Sequence, residues 1–458
     1  MSKRENLFMW AVFTLCVFIR LFPLIFHYCP LQDDYIQYHV YSLFENSFTD
    51  FLIPNGILRS RPLAGIFDFF VWSNFWHNMT VALWIISAMH IASAVMLKQI
   101  FDDMNIRLNC AFFVVYLLLP ISFEATYWIS ASSRIIVSLF FGVSASYLAV
   151  LYLNHSKAYL KSIVFVLFLS SLLFYEQTAI INCVLFLFVL LQHKNAVKRL
   201  IVPFACAIII TAAYYLYTIP VNRIPDNPDS FPIFLKRFVI CVCNLFTHDS
   251  FGFFSKGLQM FSQYLSSGNL LYISVCILSI ALSVLFGVLT VNCRAKNNVK
   301  TNLTLIILGI LIIVLSFTPY IIIRSTYLPY RSAFTAVIGL SFISAGIFDM
   351  MRTDNKVKAS VISLFSIICI FGNIYQADTM RQVAKKDAEL IEEIAAKVTQ
   401  SSDKELEIYG YQPLYIELPD FYKSRVYNIT SSDWAISGAV RSYLSDTEIK
   451  IHLSDGNF

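Results

Sequence analysis

The chain of 458 residues is 57% apolar and only 14% charged, which excludes an ordinary soluble globular domain. Its net charge of +5 does not point to nucleic acid, because the Lys and Arg residues sit in short loops between apolar runs, where they orient a chain in a bilayer. Ten cysteines lie mostly inside those runs, with none between 376 and 458, so neither a disulfide framework nor a zinc site is expected.

A hydrocarbon core about 30 Å thick takes roughly 20 apolar residues per helix. Lys3 and Arg4 precede the first run and keep the N-terminus cytoplasmic. Span one is predicted over 8–27, followed by a first external loop of about 28–78. Within that loop the aromatic-rich stretch 65–76 reads as a helix lying along the membrane surface. Further spans follow over about 79–97, 109–127 and 135–153. The run 162–192 is basic at both ends and interrupted by Tyr175-Glu176-Gln177, so it predicts a hairpin of two short helices with Glu176 at the outer turn. After a span over 200–218 comes a second large external loop, about 219–270, whose Pro/Asn/Asp-rich start over 220–229 is loop chemistry. Spans over 271–291, 302–323, 332–350 and 359–375 bring the total to about eleven.

The tail, 376–458, changes character. Apolar positions at helical spacing among many charges predict an amphipathic helix over 382–400. Segments 406–409 and 448–453 alternate like strands, and 432–444 suits a second helix, N-capped by Ser431 or Ser432. The fold class is therefore an all-α polytopic membrane protein, with a transmembrane domain over 1–375 and a small extracytoplasmic α/β appendage over 376–458.

Sorting polar residues by membrane side places Asp33, Asp34, Arg59, Arg61, Asp68, Glu124, Arg134, Glu176, Arg324 and Arg331 on the outer face. A charge costs about 2.5–3.5 kcal/mol at a span centre, so those near apolar helix are candidates for function or for pairing. Asp33 and Asp34 are the candidate bases: a carboxylate within hydrogen-bond reach takes a proton from a hydroxyl. Arg324 and Arg331 are candidate phosphate contacts or interfacial anchors, with Tyr327 and Tyr330 as apolar walls or hydroxyl partners. Arg59 and Arg61 share the acidic pair's loop and suit either a salt bridge to it or a substrate contact. Glu124, Arg134 and Glu176 suit sugar binding or a structural ion-pair network.

An acidic pair in the first external loop, Asp33-Asp34-Tyr35, on about eleven spans with an external C-terminal unit, resembles the GT-C membrane glycosyltransferases. The turn Phe174-Tyr-Glu-Gln-Thr-Ala179 is similar to an acidic hairpin turn of such families, and the tail over 376–394 is similar to that of phage and bacterial O-antigen glucosyltransferases. The resemblance implies inverting transfer of a hexose, glucose foremost, from undecaprenyl phosphate to a lipopolysaccharide O-antigen or similar surface glycan. It implies the periplasmic side of a bacterial inner membrane and no nucleotide sugar at the site. A divalent metal at Asp33/Asp34 is the one cofactor these residues suggest. Two alternatives remain: a polysaccharide polymerase using a lipid-linked glycan donor, and a lipid-linked sugar flippase or transporter.

Overall fold

The computed structural model describes residues 3–44, 61–193, 195–218, 230–292, 297–322, 324–325, 328–401, 404–409 and 428–454. The chain opens with α1 (Lys3–Arg20) and the π-helical α2 (Tyr35–Phe44), then α3 (Pro62–Phe70), begun by its helix-compatible proline, and α4 (Met79–Asp103). Next come α5 (Cys110–Leu118) and α6 (Phe123–Tyr127), then the long α7 (Ile129–His155). The paired α8 (Ala158–Phe174) and α9 (Glu176–Gln192) lead to α10 (Ala196–Thr218), α11 (Phe231–Asn244), α12 (Ser250–Ser266), α13 (Leu270–Asn292), α14 (Val299–Ser316) and α15 (Ala333–Met350). The 46-residue α16 (Asn355–Gln400) precedes β1 (Glu405–Tyr409), α17 (Asp433–Leu444) and β2 (Lys450–Ser454).

Among the described residues eight helices are long and apolar enough to cross a membrane, or nine if the bent pair Cys110–Leu118 and Pro120–Tyr127 counts as one span. Three further apolar helices are shorter: Leu7–Arg20, Ala158–Phe174 and Glu176–Gln192. The protein is thus an all-α polytopic membrane protein. The expected hairpin is present: α8 and α9 break at Tyr175, and Phe168 meets Phe186 with ring centroids 4.6 Å apart.

The stretch 219–270 departs from the expected hydrophilic loop. Its first part, 219–229, lies outside the described residues, and Phe231–Ser266 is helical and apolar. Phe234 and Phe238 pack with Phe317 and Leu328, while Tyr264 stacks on Tyr272 with Phe22 edge-on. Those partners lie on the same face of the bundle, so the segment begins and ends there. Scattered charges such as Lys236, Arg237 and Lys256 had masked this apolar character.

The bend between α5 and α6, 46°, has a local cause. Leu119 is extended, ψ 120°, and Pro120 offers no N–H, so the helical ladder breaks there and carbonyls around the break lose their helical donors. Other helices supply replacements: buried Arg20 donates to Leu117 O, Asn373 Nδ2 to Leu118 O at 2.7 Å, and Gln376 Nε2 to Pro120 O at 2.6 Å. A broken helix is tolerated at membrane depth when neighbouring side chains satisfy it in this way.

The helix ends gather at two faces. On one, Arg107 N donates to Asn297 Oδ1 at 2.9 Å, Asn109 Nδ2 to Asp349 Oδ1 at 2.8 Å, and Asn154 Nδ2 to Asp103 Oδ1 at 2.9 Å. This face carries Lys98, Arg107, Lys157, Lys198, Arg199, Lys300, Arg352 and Lys356. On the other face lie Asp33, α3, α6, the start of α7 and the α8–α9 turn, where Gln177 Nε2 reaches Ser316 O at 3.1 Å and Ser332 O at 2.9 Å.

The predicted amphipathic helix and the last span are one uninterrupted helix, α16. Beyond it β1 and β2 pair in parallel, from Glu405 opposite Lys450 to Tyr409 opposite Ser454. Ile391, Ile394, Ile436, Val440 and Ile451 form a small core against which Tyr35 packs. Gly438 lets α17 close on α2, since a Cβ there would sit 2.2 Å from Ile36 Cγ1.

Candidate functional site

The two adjacent carboxylates have different surroundings. Asp34 is fully buried and all its acceptor positions are used. Its Oδ2 accepts from Tyr28 Oη at 2.6 Å and Leu31 N at 2.9 Å, and its Oδ1 from Ser130 Oγ at 2.6 Å and Ser130 N at 3.1 Å. Ser130 N is one of the free amides of the first turn of α7, so Asp34 caps that helix from outside it and meets its positive end. Burial pushes the Asp34 carboxyl up to about 6, against the pull of its hydrogen bonds to Ser130, Tyr28 and Leu31.

Asp33 is half-buried and accepts no hydrogen bond from the described residues. Burial raises its carboxyl above the usual range, while the positive charges of Arg331 and Arg134 pull it back down. The residue before it, Gln32, has φ of 21°, a strained value for a side chain with a Cβ. Gln32 Nε2 is held by Ser431 Oγ at 2.6 Å. Both aspartates stand at the start of the helix that runs into α2.

Two ion pairs act on Asp33, through Arg331 and Arg134, and a third, Arg61–Glu176, lies against Tyr175 on the same face. Glu124 Oε1 accepts from Arg331 Nη1 at 2.8 Å, and that guanidinium lies 5.0 Å from the ring centre of Trp128. Arg61 grips Glu176 with two nitrogens, Nε to Oε2 at 2.7 Å and Nη2 to Oε1, while stacking 4.5 Å from the ring of Tyr175. Arg134 Nη2 meets buried Asp68 Oδ2 at 3.3 Å. Burial pushes Asp68 up to about 6, and Arg134 opposes it. Each pair joins elements far apart in sequence, and mutual pairing lets these charges stay at a largely buried position.

Several sequence expectations land elsewhere. Arg61 pairs with Glu176 rather than with Asp33 or Asp34. Tyr330 is buried, its ring edge-on to Phe253 at 5.1 Å. Arg324 stands exposed in a left-handed turn, φ 49°, and no ion pair reaches it among the described residues. Arg59 and Tyr327 lie outside the described residues. The sequence reading missed Tyr28, Ser130, Trp128 and Tyr175. The aromatics looked like interfacial residues, and a serine in the first turn of a span carries no signal by itself.

A divalent ion fits this pair poorly. Asp34 would have to give up bonds to Tyr28 or Ser130, leaving Asp33 as the only uncommitted carboxylate at the pair. Among the described residues no three His, Cys, Asp or Glu side chains group as metal ligands. What the arrangement can do is hold one uncommitted, half-buried carboxylate within the field of two guanidiniums. No family model, curated protein or solved structure matches the chain, so this chemistry is what speaks to function.

Proposed function

We propose that the protein is a GT-C-type membrane glycosyltransferase, moving a hexose, glucose foremost, from undecaprenyl phosphate to a lipopolysaccharide O-antigen or similar surface glycan. The observation that carries this reading is the division within the acidic pair: Asp34 is saturated, while Asp33 is uncommitted and within the field of Arg331 and Arg134.

In this reading Asp33 takes the proton of the acceptor hydroxyl. The hydroxyl oxygen attacks the sugar C1 as the bond from C1 to the phosphate oxygen breaks, inverting the anomeric centre through an oxocarbenium-like state. The departing lipid phosphate gains charge, which Arg331 and Arg134 stabilise. Since both already hold carboxylates, the phosphate competes with Glu124 and Asp68 for these guanidiniums. Asp34 supports this step by fixing the loop on the first turn of α7.

Orientation follows the charge rule. The face bearing Lys98, Arg107, Lys157, Arg199, Lys300 and Lys356 is cytoplasmic, which puts Asp33 and the β1–α17–β2 unit in the periplasm of a bacterial inner membrane. About eleven spans then satisfy the alternation of sides.

The test offers radiolabelled undecaprenyl-phosphate glucose to membranes containing the protein. Label should enter polysaccharide, and Asp33→Asn should stop it. Label that crosses the membrane without joining a glycan would replace this proposal with a flippase. Incorporation only from a lipid-linked oligosaccharide would replace it with a polymerase.

A further inference from the structure

A cavity of about 240 Å³ opens between α17, β2 and α2. Its floor is Ile36, Gly438 and Ile451, all buried, and its rim carries Trp434, Arg441 and Lys450. We propose that it binds one sugar residue of the acceptor glycan, taken through its ring face and an acidic substituent. This rests on the transferase reading and adds to it a second contact for the acceptor, apart from Asp33.

Size and chemistry support the assignment. Drug-sized ligands occupy roughly 300–1,000 Å³, so this smaller space suits a single ring. Trp434 is 50% exposed at the edge of this cavity. An indole at such a rim offers an apolar face to the C–H side of a sugar and an N–H to its oxygens.

The rim is richest in donors. Arg441 spends Nε on Ile449 O at 2.5 Å, leaving its Nη groups. Lys450 Nζ and Trp434 Nε1 have no hydrogen-bond partner among the described residues. Asp433, the acid at the rim, accepts from Leu453 N at 2.9 Å through one oxygen and lies 3.3 Å from His452 Nδ1 through the other. Two cations against one engaged carboxylate favour a ligand rich in acceptors, and a sugar carboxylate meets that need best.

Position links the cavity to the reaction. Ile36 follows Asp33 by three residues, about one helical turn or roughly 5 Å along the axis. A glycan with one residue seated against Ile36 and Trp434 brings the next to Asp33. The cavity would then choose which hydroxyl is presented to the base.

The test uses the full-length protein in detergent, without donor, and ligand-observed saturation-transfer NMR. The probes are methyl β-glucuronide and methyl β-glucoside. The glucuronide should bind about tenfold more tightly than the glucoside. Trp434→Ala should weaken both by roughly three- to tenfold, and Lys450→Ala should reduce the preference for the acid. Both positions are exposed, so the fold should tolerate these changes, which a thermal melt checks; if Trp434→Ala alone lowers the melt, Trp434→Phe takes its place and should keep most of the binding. Asp33→Asn should bind both probes as the unaltered protein does, which separates this site from the base. Absence of saturable binding, or binding that neither rim variant changes, overturns the proposal and leaves the Asp33 assignment untouched.

Discussion

Gln32 Nε2 donates to Ser431 Oγ at 2.6 Å across 399 residues of sequence. Through that bond the C-terminal unit grips the strained residue directly before Asp33. Two further contacts repeat the grip: Ser442 Oγ with His39 Nδ1 at 2.6 Å, and Gly438 against Ile36. Asp33 is therefore positioned from both ends of the chain.

Ser431→Ala removes the acceptor and frees Gln32. Transfer should fall about tenfold in kcat with donor KM little changed, because misplacing a reacting group costs rate before affinity. The melt should move little, since one such bond is worth about 1 kcal/mol. A fall in thermal stability equal to that of a core variant would make the contact merely structural.

The two aspartates should separate by assay. Asp33→Asn should cut transfer by about 10²–10⁴-fold, the usual range for loss of a general base, and leave the melt unchanged. Asp34→Ala should instead destabilise by roughly 2–5 kcal/mol, because Tyr28 and Ser130 lose a buried acceptor. Equal activity loss with equal destabilisation in both would erase the division of roles.

Activity should depend on pH through Asp33, which must be ionised to accept a proton. Burial raises its pKa and Arg331 lowers it. Arg331→Gln should therefore move the acidic limb of kcat/KM to higher pH, by about one unit or less. A limb that stays in place removes Arg331 from the field at Asp33.

Stability should run the other way with pH. Folding raises Asp34 from its ordinary value of 3.8 to about 6, so between those values the folded state binds the extra proton. This contribution is greatest below about pH 4 and is lost as pH rises through 6, by an amount on the order of a few kcal/mol. Asp68, also raised to about 6, adds in the same direction. The melting temperature in detergent should drop between about pH 4 and 7, and Asp34→Asn should flatten that slope.

Hydropathy and charge placement made much of this legible. The α8–α9 hairpin followed from basic residues at both ends of one apolar run, and the tail's strands and helix from their periodicities. The apolar helix over Phe231–Ser266 was hidden because polar residues interrupt it at intervals that resemble a loop. Pairing was hidden too: that Arg61 meets Glu176, or that Asp34 caps α7 at Ser130, depends on how distant helices pack, which no local pattern records. Adjacent Asp33 and Asp34 are indistinguishable in sequence, and only the first turn of α7 tells them apart.

At 1.5 Å per residue, the 46 residues of α16 run about 69 Å, more than twice the thickness of a hydrocarbon core of about 30 Å. The helix is anchored within the bilayer at one end and carries Ile391 and Ile394 into the small C-terminal core at the other. It serves as a stiff mast that sets the altitude of Trp434 above the lipid headgroups. Inserting or deleting a few residues in its upper half would raise or lower that perch and rotate it about the mast; under the proposed transferase reading this changes which part of an acceptor glycan can come down to Asp33.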